Sequence, residues 1–250
     1  MVEQLKLAVG ALQGLAHESR GEPCQDSVSA CRAAHAACVA LCDGAGSVPG
    51  SERVSEAVAR ALASLAAERF ERLWTLRDAV LRDLIVSAGT AAALAAAPEV
   101  RPACTVLLAA MSDDGRCLVC HLGDGAVLAV PPAGGGRLLS APENGESLSR
   151  TFFLSGPEPR QHLRVYRPEA EALLLCSDGV SPRMYERSGA ASPAVGKMVG
   201  WLRSGGEAHA EALIGDALRN VFRSQSADDL SLAILLRAPR PAENETEEQS

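Results

Sequence analysis

Residues 5–16 form an apolar run that closes near Gly14, the pattern of a strand. Residues 26–42 alternate and then run into Val39-Ala-Leu-Cys42, a buried-strand pattern that stops at Asp43-Gly44. After Gly50, apolar residues recur at every third or fourth position (Val54, Val58, Leu62, Leu65, Leu73, Leu76, Val80, Leu84) with charges between them, which predicts a helix over 51–86. Residues 103–111 predict a strand, Asp113-Asp114-Gly115 a hairpin turn, and 116–122 and 125–130 two more strands parted at Gly123-Asp124-Gly125. A Pro/Gly turn follows at 131–136, then short strands and loops over 137–170. Leu173–Cys176 predicts a short buried strand ending at Ser177-Asp178-Gly179, 193–203 and 207–223 predict helices, and Leu230–Leu236 a last strand. Strands come in pairs, helices come in two blocks, and βαβ alternation is absent, so the fold class is α+β, antiparallel sheets covered by helices. No linker divides the chain. One domain is expected over 1–238, followed by a polar, acidic and disordered tail at 239–250.

Composition narrows the function. The 250 residues are 47% hydrophobic and 22% charged, as in a globular protein. A net charge of −7 with only 3% aromatics argues against a nucleic-acid partner. The most apolar stretch, Ile85–Ala97, is too short for a membrane span and holds Ser87, Gly89 and Thr90. The N-terminus lacks the basic-then-apolar run of a signal peptide. A cytoplasmic location without membrane contact is therefore expected, with the eight cysteines as reduced thiols. Cys117-x-x-Cys120 has no second pair to complete a zinc site, and a strand would send its two thiols to opposite faces.

The candidate chemistry lies where strands stop. An Asp followed by Gly ends the apolar runs at Asp43-Gly44, Asp124-Gly125 and Asp178-Gly179, and Asp228-Asp229 precedes the last strand. Asp26 precedes another alternating run. A single Asp-Gly is ordinarily a turn. Several carboxylates abutting buried strands would be costly without compensation, and hard divalent cations take such oxygen ligands. Neither a P-loop nor a G-x-G-x-x-G fingerprint is present.

In their order these motifs resemble the metal-dependent protein phosphatases known as PP2C, particularly the compact bacterial branch. Gly14-Leu-Ala-His17 with Gln25-Asp26 is similar to the family's "G-x-x-H … Q-D", and Asp43-Gly-Ala-Gly46 to "D-G-x-G". Ala103-Cys-Thr105 stands for "G-T-T" and Gly123-Asp-Gly125 for "G-D-S". Ser177-Asp-Gly179 matches "S-D-G", and Asp228-Asp229-Leu-Ser231 stands for "D-N-x-T".

The resemblance implies a β-sandwich of two antiparallel sheets flanked by helices on both sides. It also implies hydrolysis of phosphoserine or phosphothreonine in proteins by water activated between two Mn²⁺ or Mg²⁺ ions. On this resemblance Asp43 bridges both ions, the Gly44 carbonyl binds one, and Asp178 and Asp228 bind the other. Asp26 holds water bound to the ions, and Asp124 matches an acid linked in some relatives to a third, weaker ion. His17 is the candidate general acid. Arg20 is the candidate phosphate ligand, because the place of the usual Arg is Gly21. Asp229 in place of Asn reads as an extra acid beside the metals. The implied partner is a phosphoprotein made by a Ser/Thr kinase. Two alternatives share the fold: a pseudo-phosphatase that only binds, and a phosphatase of a small phosphorylated molecule.

Overall fold

The computed structural model describes residues 3–144 and 151–239; from Arg240 on, the expected tail lies outside the described residues. In chain order the elements are β1 (Glu3–Leu12), α1 (Leu15–Arg20), β2 (Asp26–Arg32), β3 (Ala36–Asp43), α2 (Ser51–Glu68), α3 (Phe70–Thr75) and α4 (Asp78–Ala96). Then come β4 (Val106–Ser112), β5 (Cys117–Leu122), β6 (Ala126–Val130), β7 (Arg137–Ser140), α5 (Pro159–His162), β8 (Arg164–Tyr166) and β9 (Ala172–Cys176). The described residues close with α6 (Pro193–Gly205), α7 (Glu207–Ala217), a π turn at Leu218–Phe222, and β10 (Leu230–Pro239).

Among the described residues the strands form two five-stranded sheets, ordered β1-β10-β9-β6-β7 and β2-β3-β4-β5-β8. Every strand pairing is antiparallel. Sheets and helices stack as an α/β/β/α sandwich. In β3, Cys38, Ala40 and Cys42 face α2 and α4, while Ala37, Val39 and Leu41 face the other sheet. In β10, Leu232, Ile234 and Leu236 face α6 and α7, while Ala233 and Leu235 point between the sheets. Both faces of these strands are covered, so they read as continuous apolar runs and not as alternation. Alanines at 37, 109, 129 and 233 interleave with Leu107, Met111 and Leu173 between the sheets, which lets the layers pack closely. Cys117 lies between the sheets and Cys120 under the helices, and all eight cysteines are free.

Three sequence expectations are corrected. The single helix over 51–86 is three helices, turning at Arg69 (φ −115°, ψ 18°) and at extended Leu76 and Arg77. The three-to-four spacing survives the breaks because Phe70, Leu73, Leu81 and Ile85 of the later helices enter the same core as Val54, Val58 and Leu62. The strand over 5–16 ends at Leu12, and α1 follows, closed by left-handed Gly21 (φ 67°). The last strand runs past Leu236 to Pro239, because β1 pairs with it along its whole length, from Leu12↔Leu230 to Glu3↔Pro239. Helix α4, which contains most of Ile85–Ala97, has 19 residues and a mean hydropathy of 1.5, enough by length and composition to cross a membrane. In the sandwich its Leu81, Ile85 and Ala93 are buried in the core beneath α2.

Candidate metal centre and active-site cleft

Strand ends from both sheets meet at one edge of the sandwich. Asp43 closes β3 opposite Asp26, which opens β2. Asp124 follows β5, Asp178 follows β9, and Asp228 precedes β10. Asp43, Asp124 and Asp178 each offer a carboxylate oxygen, and these atoms all lie within 4.8 Å of one another. Asp26 is buried behind them, and its Oδ2 accepts a 2.7 Å hydrogen bond from Ser231 Oγ. Asp228 is exposed and outside the three-acid group, yet near enough for its charge to act on Asp43, Asp124 and Asp178.

The electrostatics follow from burial and like charge. Burial first, then Asp178 and Asp229, push Asp26 up to about 8 against the opposing Ser231 bond. Burial, then Asp228 and Asp124, push Asp178 up to about 7. Burial and the surrounding acids hold Asp43 well above the usual carboxylate range, and burial raises Asp124 against its bond from Thr151. Among the described residues no salt bridge reaches Asp26, Asp43, Asp124, Asp178 or Asp228. Asp124 Oδ1 is buried without a hydrogen-bond partner. An all-oxygen donor set, mutual repulsion and an orphaned buried carboxylate oxygen fit a hard divalent cation such as Mg²⁺ or Mn²⁺.

Backbone bonds hold these acids in place. The Asp43 N–H donates to Thr105 Oγ1 (2.9 Å), and the Thr105 N–H donates to the Asp43 carbonyl (2.9 Å). The Gly44 N–H donates to the Gln25 carbonyl (3.0 Å). Gly179 lies against the segment before β10: a Cβ there would sit 2.2 Å from the Asp229 carbonyl oxygen. Gly14 is as tight, since a Cβ would lie 2.3 Å from the Asp228 backbone. These glycines let three chain segments meet where the carboxylates gather.

A cleft of about 340 Å³ opens at Asp43, Gly44 and Asp228, with His17, Arg20, Thr151 and Phe153 also in its wall. Arg20 is exposed, and its Nε donates to Glu22 Oε2 (2.7 Å). His17 is buried, with Nδ1 2.8 Å from Asp229 Oδ2. Asp229, the extra acid of the sequence, lies close enough to the cluster for its charge to act on Asp26. It is 2% exposed and accepts from the Gly14 and Gln25 N–H groups (both 2.6 Å) as well as from His17.

Thr105 and Ser231, which hold Asp43 and Asp26, lie inside family-like motifs but are not ligands themselves, whereas Thr151, whose hydroxyl donates to Asp124 Oδ2, lies 27 residues downstream with no local signal. His121 is packed: it bonds Ser140 Oγ (2.8 Å), and burial, then Arg164, pushes it down to about 3. Ser177 Oγ accepts the Ser231 N–H (3.0 Å), a bond between strand ends.

Residues 13–219 match the family profile described as Protein phosphatase 2C. No match is found among curated proteins. Several solved structures share the fold. The catalytic domain of serine threonine protein phosphatase PstP, in complex with 2 manganese ions, is 18% identical with a TM-score of 0.59, covering 95% of this chain and 100% of that one. Serine-threonine phosphatase 2C from Toxoplasma gondii is 15% identical with a TM-score of 0.61, covering 93% and 95%. RsbX in complex with magnesium is 14% identical with a TM-score of 0.57, covering 93% and 95%. The profile takes in β2 to β9, four of the five gathered carboxylates and most of the cleft, and on that match the chain belongs to the protein phosphatase 2C family, the metal-dependent serine/threonine phosphatases.

Proposed function

We propose that this protein hydrolyses phosphoserine and phosphothreonine in proteins, in the cytoplasm, through a domain spanning residues 1–238 and two divalent cations. The observation that carries the reading is the Asp43–Asp124–Asp178 cluster, three carboxylates within 4.8 Å at the cleft edge with no basic partner among the described residues. The eight free thiols support a reducing compartment.

In this reading Asp43, the Gly44 carbonyl, Asp178 and Asp228 hold two ions, and Asp124 contributes to a third. Mn²⁺ or Mg²⁺ bound there neutralises phosphate charge and makes water more acidic. Asp26 supports the cluster from its buried side. Arg20, at the cleft wall, meets the phosphate dianion by exchanging its Glu22 contact for phosphate oxygens. His17 delivers a proton to the leaving seryl or threonyl oxygen. The phosphoprotein is the product of a Ser/Thr kinase.

The test is hydrolysis of 4-nitrophenyl phosphate and a phosphoserine peptide with Mn²⁺ or with a chelator. Turnover should require the cation, and Asp43→Ala and Asp178→Ala should each lower kcat by about 10³-fold or more. Wild-type rates in both variants, or cation-independent turnover, would overturn the assignment.

A further inference from the structure

We infer that Asp229 is a positioning residue: it locks the His17 imidazole so that Nε2, and not Nδ1, serves the cleft. This inference rests on the proposed phosphatase reading and extends it to a residue outside the metal cluster.

The hydrogen bonds dictate the proton's place. Asp229 Oδ1 accepts the Gly14 N–H at 2.6 Å, and Oδ2 accepts the Gln25 N–H at 2.6 Å. Backbone N–H groups only donate, so both carboxylate oxygens are acceptors. The 2.8 Å contact of Oδ2 with His17 Nδ1 therefore places a proton on Nδ1. Nε2 is left as the nitrogen free to exchange protons, 3.8 Å from Glu22 Oε2, on a residue that shares the cleft wall with Asp43 and Asp228. A buried carboxylate gripping one imidazole nitrogen and presenting the other is the arrangement that orients a proton-transfer histidine.

The acid is needed in this place for a geometric reason. Three donors converge on Asp229, two of them backbone groups that cannot turn away. An amide has one acceptor oxygen, and its NH₂ would face one of those donors. Asp229 joins the β10 approach to α1 and to the start of β2, and one carboxylate thus sets both the loop geometry and the ring orientation.

Water oxygen bonds to phosphorus as the bond from phosphorus to the seryl oxygen breaks. The seryl oxygen leaves with the proton of Nε2, while Nδ1–H stays on Asp229. The proton shed by the attacking water passes to solvent, from which Nε2 is reprotonated.

The experiment compares wild type, Asp229→Asn, His17→Gln and the double variant, all with Mn²⁺, on two esters. The leaving group of 4-nitrophenyl phosphate departs without a proton, and that of phenyl phosphate needs one. Each single variant should lose about 10²-fold in kcat on phenyl phosphate, less than about 5-fold on 4-nitrophenyl phosphate, with KM unchanged, and the double variant should be no worse than either. Equal losses on both esters would overturn the inference and leave Asp229 a structural bolt. Lack of cation-dependent turnover of 4-nitrophenyl phosphate by wild type is a different result, which overturns the phosphatase reading itself. A readout free of activity uses ¹⁵N-labelled histidine: wild type should hold a slowly exchanging Nδ1 proton on His17 that Asp229→Asn loses. Absence of that proton in wild type overturns the inference. Should Asp229→Asn fail to fold, the wild-type Nδ1 proton on His17 carries the test: its presence supports the inference and its absence overturns it.

Discussion

Stripped of divalent cations, the protein should lose stability as the pH rises through neutrality, and Asp26→Asn should remove most of that loss. In the folded chain Asp26 keeps its proton to about pH 8 and Asp178 to about pH 7; unfolded, both lose it near 3.8. A carboxylate whose folded value is raised contributes stability that is complete below its unfolded value and disappears as the pH climbs through the folded one. Asp43 and Asp124, raised by burial and the neighbouring acids, add to the same fall, and two groups of opposite or later effect bound the window. Burial lowers His121 to about 3, so its opposing contribution is nearly complete above its ordinary 6.5. Burial raises Cys24 and Cys176, and such thiols begin to cost stability as unfolded thiols ionise near ~8.5. Between pH 6.5 and 7.5, Asp26 and Asp178 together account for a fall of about 1 to 2 kcal/mol. Asp26→Asn keeps an oxygen for Ser231 while deleting the buried charge and relieving Asp178. Urea unfolding with a chelator at the two pH values is the assay. The wild-type midpoint should fall by about 0.3 to 0.6 M more than that of the variant. Saturating Mn²⁺ should flatten the wild-type difference, because the cation replaces the protons. Parallel pH dependence in the two chelated proteins would refute the argument that these acids are buried under mutual repulsion.

Three further outcomes are expected. Mn²⁺ at about 100-fold over its Kd should stabilise wild type by about 2.7 kcal/mol in thermal unfolding, and Asp178→Asn should abolish most of that gain. Thr151→Val removes the hydroxyl that bonds Asp124 and should weaken Mn²⁺ binding in calorimetry by about 5- to 10-fold, whereas Thr151→Ser should keep wild-type affinity. Gly179→Ala drives a Cβ to 2.2 Å from the Asp229 carbonyl oxygen and should cost about 3 kcal/mol in urea unfolding, with loss of turnover as Asp228 shifts; a fully stable, active variant would contradict the close approach.

The amino-acid sequence alone carried the layers and the places where acids abut buried strands. Strands covered on both faces must be apolar at every position, so β3, β4, β9 and β10 announced themselves, and an Asp at the end of such a run is conspicuous because it abuts buried surface. Asp43, Asp124 and Asp178, which the fold brings within 4.8 Å, each follow such a run, whereas Asp26 opens the half-exposed strand β2. Tertiary structure decided the rest. The breaks at Arg69 and Leu76–Arg77 carry no Pro or Gly, and the periodicity hides them because three helices feed one core. The division of labour among the acids was equally invisible. Asp124 lies within the tight group and Asp228 at its exposed rim, a matter of how two sheets stack. Asp228 and Asp229 are neighbours of identical chemistry, yet one faces the cleft and the other is buried among Gly14, Gln25 and His17, more than 200 residues away in the chain. Local patterning records which residues are apolar or charged; which donors surround a given carboxylate depends on contacts between distant segments, and those exist only once the sandwich has closed.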